Sequence, residues 1–194
     1  MHHYYRARSF AEQNHAEFEM QPWLGEMAFK NVTHFYTDAI PDLVVDGTEE
    51  FLPKHPYDRP LARSYFQPLV DFGMPSFDLV IHLRRGDLVN SDNSFPFIGI
   101  HNYRTAIEKL GFKWIPVVVT DDVPFQFWKP DLCHPDWAHL LDFEVMLKAK
   151  NLFIANSGFS WWAGLIGFGN IYQPVNGCEM HGCLNCDFQL TAYL

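Results

Sequence analysis

Phe77-Asp78-Leu79-Val80-Ile81-His82-Leu83, ending at Arg84-Arg85-Gly86-Asp87, is the stretch that sets the fold class. Its nearly continuous apolar run predicts a strand buried on both faces, as strands of a parallel sheet are. Toward the C-terminus the pattern alternates. Tyr103, Ala106, Ile107 and Leu110 recur at helical spacing within Asn102 to Leu110, and Gly111 is placed to end that helix. A second strand is expected over Ile115 to Thr120, with Pro116 near its start, where a missing amide is tolerated, and Asp121-Asp122 at its carboxyl end. A second helix follows over Leu140 to Lys150, with Leu140, Phe143, Met146 and Leu147 on one face. Then come a short strand, Leu152 to Ala155, a loop from Asn156 to Ser160, an apolar helix opened by Trp161-Trp162, and a last strand from Asn170 to Gln173. Strand and helix in alternation predict the α/β class, a parallel sheet covered by helices.

Toward the N-terminus the texture changes. Residues 1–75 are polar, aromatic and interrupted by Pro22, Pro41, Pro53, Pro56, Pro60 and Pro68, which predicts a small and irregular lobe. The expected division is therefore residues 1–75 and residues 76–194. A chain of 194 residues has room for one complete domain with a reduced companion, and not for two full-size ones.

Composition narrows the function classes. Lys and Arg number 14 against 23 Asp and Glu, a net charge of −9, with 48% hydrophobic and 19% charged residues. Such a chain folds, and it has few cations with which to neutralise nucleic-acid phosphates. No run approaches the roughly 20 apolar residues of a membrane span, and MHHYYRARSF lacks the apolar core of a secretory signal, so a cytoplasmic location is expected. Cys133, Cys178, Cys183 and Cys186 are too few for a disulfide scaffold. Even with His181 among them, their spacing fits structural zinc poorly, and reduced thiols are the plainer reading. Asn31-Val32-Thr33 is a formal glycosylation acceptor of a kind frequent by chance.

Ligands of open α/β sheets bind outside the carboxyl ends of the strands. There this sequence places Arg84, Arg85 and Asp87 after the first strand, Asp121 and Asp122 after the second, and Ser157-Gly158-Phe159-Ser160 between the third and a helix. Arginine forks match phosphate oxygens, and the unpaired amides of a helix start attract anions. A diphosphate suits the set. Each residue also has a plainer reading: Arg84-Arg85 as surface partners of Asp87, His82 as a core histidine on the same strand face as Arg84, Ser157 and Ser160 as helix caps, Trp161-Trp162 as core.

Val80-Ile81-His82-Leu83-Arg84-Arg85-Gly86-Asp87 resembles the His-x-Arg-Arg-x-Asp motif of fucosyltransferases, and Tyr103 to Leu110 resembles the helix that follows it in the α-1,2 branch. The run from Asp142-Phe143-Glu144 through Asn156-Ser157-Gly158-Phe159-Ser160-Trp161-Trp162 is similar to that family's second signature, and Trp23 to Phe29 is faintly like the opening of its first lobe. The resemblance covers about residues 77–175. It implies the donor half of a GT-B-type glycosyltransferase, a Rossmann-like parallel sheet with helices on both faces, joined to a small, reduced N-terminal lobe. It also implies GDP-fucose or a related nucleotide sugar as co-substrate, a glycan as acceptor, no metal, and a partner chain where the acceptor side needs completing.

Residue by residue, the resemblance implies that Arg84 grips the donor diphosphate with Arg85 in support. His82 would lie against the donor, Asp142 would hold the guanine, and Ser157, Gly158, Phe159 and Ser160 would close over the phosphates; Asp121 fits the strand end between the two motifs. Asp87 is the nearest carboxylate to take the acceptor proton, with Asp121, Asp122 and Glu26 as the others. The expected activity is inverting transfer of a sugar, fucose first among them, from GDP to a glycan hydroxyl. The alternatives are a nucleotide-sugar- or glycan-binding module without turnover, and a transferase using a different nucleotide sugar.

Overall fold

The computed structural model describes residues 1–20, 24–30, 32, 57–85, 98–113, 115–121, 138–174 and 190–193. The chain divides into two compact units, and the division falls between Val70 and Asp71, so that residues 71–75 go with the second.

The first unit holds α1 (His2–Gln13), a 3-10 turn (Leu24–Met27) and α2 (Arg59–Tyr65). A small irregular lobe is expected from the proline-rich sequence, yet α1 runs for 12 residues. The prolines begin only at Pro22, after α1 has ended. Pro60 starts a helix rather than breaking one: it is the second residue of α2, where no amide is needed, just after Asp58 accepts from the Leu61 amide at 2.6 Å. Buried aromatic rings fill this unit, with Tyr5 4.8 Å from Tyr57 and Phe66 5.3 Å from Phe29 between centroids.

The second unit is built on five strands, β1 (Val80–Leu83), β2 (Val117–Thr120), β3 (Asn151–Phe153), β4 (Asn170–Pro174) and β5 (Leu190–Tyr193). They lie in the order β2-β1-β3-β4-β5, and every pair is parallel. The α/β class and the parallel sheet expected from the sequence are present, in an arrangement compatible with a Rossmann-like fold. The strands are shorter than the apolar runs suggest. Ile115, for example, is 78% exposed and precedes β2. β5 lies beyond the last strand that the sequence predicts, Asn170 to Gln173.

Helices cover both faces. α3 (Ile100–Lys109) places Tyr103, Ala106 and Ile107 in a cluster with Ile81, Leu83, Phe153 and Tyr172. Gly111 at φ 80° ends α3 as its spacing predicts, its amide bonding to the Glu108 carbonyl and that of Phe112 to the Ile107 carbonyl. On the other face lie α4 (Ala138–Leu147) and α5 (Gly158–Ile166). The buried side of α4 is Leu141, Phe143, Glu144, Val145 and Met146, in place of the expected stripe through Leu140 and Leu147. Leu141, Glu144 and Val145 are the additions, and Glu144 is tolerated there because it accepts from the Phe72 and Met74 amides and from Lys148.

Strand order fixes where a ligand can enter. From β1 the chain passes by α3 to β2 on one side, then crosses by α4 to β3 on the other. The two connections diverge between β1 and β3, and the crevice so formed lies at their carboxyl ends.

Candidate functional site at the carboxyl end of the sheet

Three side chains fasten the end of β1. The Tyr103 hydroxyl donates to the His82 carbonyl at 2.8 Å, the Thr120 hydroxyl to the Leu83 carbonyl at 2.6 Å, and the Arg85 amide donates to Asp121 at 2.8 Å. Backbone groups that leave the sheet ladder are thereby satisfied, and the turn carrying both arginines is held in one conformation. Asp121, a candidate donor contact by sequence, commits one carboxylate oxygen to this turn.

Opposite stands the start of α5. Ser157 is its N-cap, in extended conformation, and its hydroxyl accepts from the Phe159 amide at 3.3 Å. Ser160 is fully buried: its hydroxyl accepts from the Ala155 amide at 3.2 Å and lies 3.4 Å from the Ser157 carbonyl. Ser157 has the capping role open to it from sequence, whereas Ser160 is the third residue of α5 and its hydroxyl ties the helix start back to Ala155, just past the preceding strand. Trp161 and Trp162 are core, as the plainer reading holds.

The two sides meet at Arg84, whose guanidinium donates to the Ser157 hydroxyl across the crevice at 3.4 Å. The bond is long, at the edge of what a neutral acceptor supports. A planar fork at the positive end of a nine-residue helix is an arrangement suited to a multiply charged anion. Arg84 and Arg85 are both half-buried, so a charge meeting them is partly shielded from water.

His82 lies behind this pair, on the face of the sheet that α4 and α5 cover. Its ring meets Phe159 edge-on at 6.0 Å, and Phe159 in turn packs against Phe143 at 5.3 Å. It is 5% exposed, and its Nδ1 has no hydrogen-bond partner among the described residues. Burial pushes its pKa down to about 4, Arg84 adding to the shift and Asp121 opposing it. The imidazole is therefore neutral near pH 7.

The sequence candidates divide as follows. His82, Arg84, Arg85, Asp121, Ser157, Gly158, Phe159 and Ser160 come together at the carboxyl ends of β1, β2 and β3. Asp142 is half-buried on α4, next in sequence to Phe143, which touches the site through Phe159. Asp87, Asp122, the four cysteines, His181 and the Asn31 and Thr33 positions lie outside the described residues. Glu26 belongs to the other unit. Tyr103 and Thr120 are the positioning side chains that sequence reasoning missed. A hydroxyl on the last residue of a buried strand is the one signal that could have found Thr120.

Among the described residues no group of three His, Cys, Asp or Glu side chains could hold a metal, and no helix is long and apolar enough to cross a membrane. Comparison with known proteins finds no family model, no curated protein and no solved structure that matches the chain.

Proposed function

We propose that this crevice binds the diphosphate of a nucleotide sugar and that the protein is an inverting glycosyltransferase, with GDP-fucose the leading donor. The observation that carries the reading is the Arg84 guanidinium poised against the N-cap of α5 at the switch point of the sheet. The helix start offers backbone amides and the arginine a fork, and both favour two linked phosphates over a single carboxylate. The resemblance of the sequence around Arg84 and Ser157 to fucosyltransferases supports the sugar-transfer part and the choice of donor.

In this mechanism an acceptor hydroxyl attacks the anomeric carbon as the bond from that carbon to the β-phosphate oxygen breaks. Negative charge grows on the departing diphosphate, where Arg84, Arg85 and the amides at the start of α5 stabilise it. The turn is held beforehand by Tyr103, Thr120 and Asp121, so little reorganisation is needed as the charge develops. A carboxylate takes the acceptor proton, with Asp87 first by its place in the motif. Asp142 accepts from the guanine ring N–H and exocyclic amine. Because cationic side chains and amides meet the diphosphate charge, transfer proceeds in the presence of a chelator.

The test is thermal stabilisation by GDP, UDP, ADP and dTDP, followed by fucose transfer to a panel of glycans in EDTA. A nucleotide at about 100 times its dissociation constant adds roughly 2.7 kcal/mol. GDP should rank first, and Asp142→Asn should remove its lead. Equal stabilisation by UDP counts against a guanine site. Binding of GDP-fucose with no transfer to any acceptor makes the protein a binding module.

A further inference from the structure

Val80, Leu152 and Ile171 form one row across β1, β3 and β4. Two residues further along each strand, on the same face, the row is His82, Ile154 and Gln173. Its outer members are both polar and both buried, at 5% and 3% exposure. His82 Nδ1 and Gln173 Oε1 each lack a hydrogen-bond partner among the described residues.

The position of Gln173 relative to α5 follows from packing. A Cβ on Gly164 would stand 3.3 Å from Ile171, so α5 crosses β4 closely there. As the connection between parallel strands, α5 runs back against their direction. One turn from Gly164 to Ser160 covers about 6 Å, and two residues from Ile171 to Gln173 cover about 6.6 Å. Gln173 therefore lies level with the first turn of α5, the same turn that Ser157 caps and Arg84 reaches.

A buried amide oxygen left unbonded is costly, and it persists where function uses it. Amide oxygens only accept, and diphosphate oxygens do too. The group that completes Gln173 must bring an O–H or N–H. We propose that Gln173 is a ligand-reading residue of the crevice, its Oε1 accepting a hydrogen bond from a hydroxyl or ring N–H in the organic part of the nucleotide sugar. The inference rests on the donor-site reading above and adds to it a contact beyond the phosphates, contributed by β4 rather than by either sequence motif.

The experiment uses Gln173→Met, which keeps the length of the side chain, with Gln173→Leu in parallel. Melting temperature is measured without ligand, and calorimetric affinity for inorganic pyrophosphate, GDP and GDP-fucose. The free variants should melt a few degrees higher than the wild type, since an unbonded polar group has been replaced by an apolar one. Pyrophosphate should bind unchanged, while affinity for the organic ligand falls by about tenfold, the loss typical of one hydrogen bond to a buried group. A loss already present with GDP assigns the contact to the nucleoside, and a loss seen only with GDP-fucose assigns it to the sugar. Lower melting temperatures show that the protein itself uses the Gln173 amide, and overturn the inference. So does wild-type affinity for both GDP and GDP-fucose in the variants. A wild-type protein that binds none of the three ligands overturns the donor-site reading itself, which no result on the variants alone can do.

Discussion

Among the described residues, both ends of the sheet carry polar side chains and use them differently. At the amino end they satisfy one another. Lys148 donates to Asp71 at 2.8 Å, to Glu144 at 2.6 Å and to the Met74 carbonyl at 3.1 Å, while Glu144 accepts from the Phe72 and Met74 amides. Lys150 pairs with Asp78, Asn151 donates to the Asp78 carbonyl, and Asn170 to Asn151. Gly169 completes this end, where a Cβ would collide with the Ala149 and Lys150 carbonyl oxygens. At the carboxyl end the backbone is fastened just as firmly, by Tyr103, Thr120 and Asp121, but His82 and Gln173 are buried with an atom unbonded among the described residues. On the proposed function, one end is arranged for stability and the other for a ligand. Substitutions should therefore separate into those that move melting and those that move binding.

The largest effect belongs to Arg84→Lys. Lysine keeps one charge and loses the fork, and removal of one preorganised donor to a developing anion costs about 2.7–4 kcal/mol, so fucose transfer should fall about a hundredfold or more with melting unchanged. Arg85→Lys should lose less. Steady-state rates beside melting curves check both, and a larger loss in the Arg85 variant would take Arg84 out of its central role.

Glu144→Leu attacks the other end. It leaves the Phe72 and Met74 amides without their acceptor, takes one of three acceptors from Lys148, and should destabilise by about 3 kcal/mol in denaturant titrations, while nucleotide affinity stays as it was. A loss below about 1 kcal/mol would show that the clamp contributes little.

His82 gives a pH signature. Its pKa in the fold, about 4, is below the 6.5 of the free side chain, so the unfolded chain takes up the proton first. The stability of the neutral imidazole is complete above about pH 6.5 and is lost as pH falls toward 4, by about 3 kcal/mol in all. His82→Phe should lack this component. Parallel stability curves for the two proteins between pH 7 and 4 would contradict the assignment. The smallest effect is expected from Lys150→Met, whose ion pair with Asp78 is 64% and 84% exposed and contributes about 1 kcal/mol or less.

The sequence makes the local devices of this site visible. An apolar run ending in two arginines marks the end of β1, Ser157 before an apolar helix marks a cap, and Gly111 marks the end of α3. Each is decided by neighbours within a few residues. The strand order is a different matter, because which strands pair depends on where whole helices pack. Glu144 falls outside the apolar stripe that the spacing predicts, and its burial is not local, since its partners, Phe72 and Met74, are 72 and 70 positions away. Tyr103 read as core for the same reason: its ring does pack there, but its hydroxyl finds the His82 carbonyl only once α3 lies on β1. Gln173 reads as the last residue of an ordinary strand until the register places it beside the start of α5. The long α1 was hidden by averaging its proline-free residues with the prolines that follow.

The most direct test of the division between the two ends is calorimetric titration of GDP into the wild type, Arg84→Lys and Lys150→Met under one set of conditions. The account predicts that GDP binds the wild type, that Arg84→Lys weakens it at least tenfold, and that Lys150→Met leaves it unchanged. No binding to the wild type, or an equal loss in both variants, would contradict the claim that the carboxyl end of this sheet is a nucleotide diphosphate site.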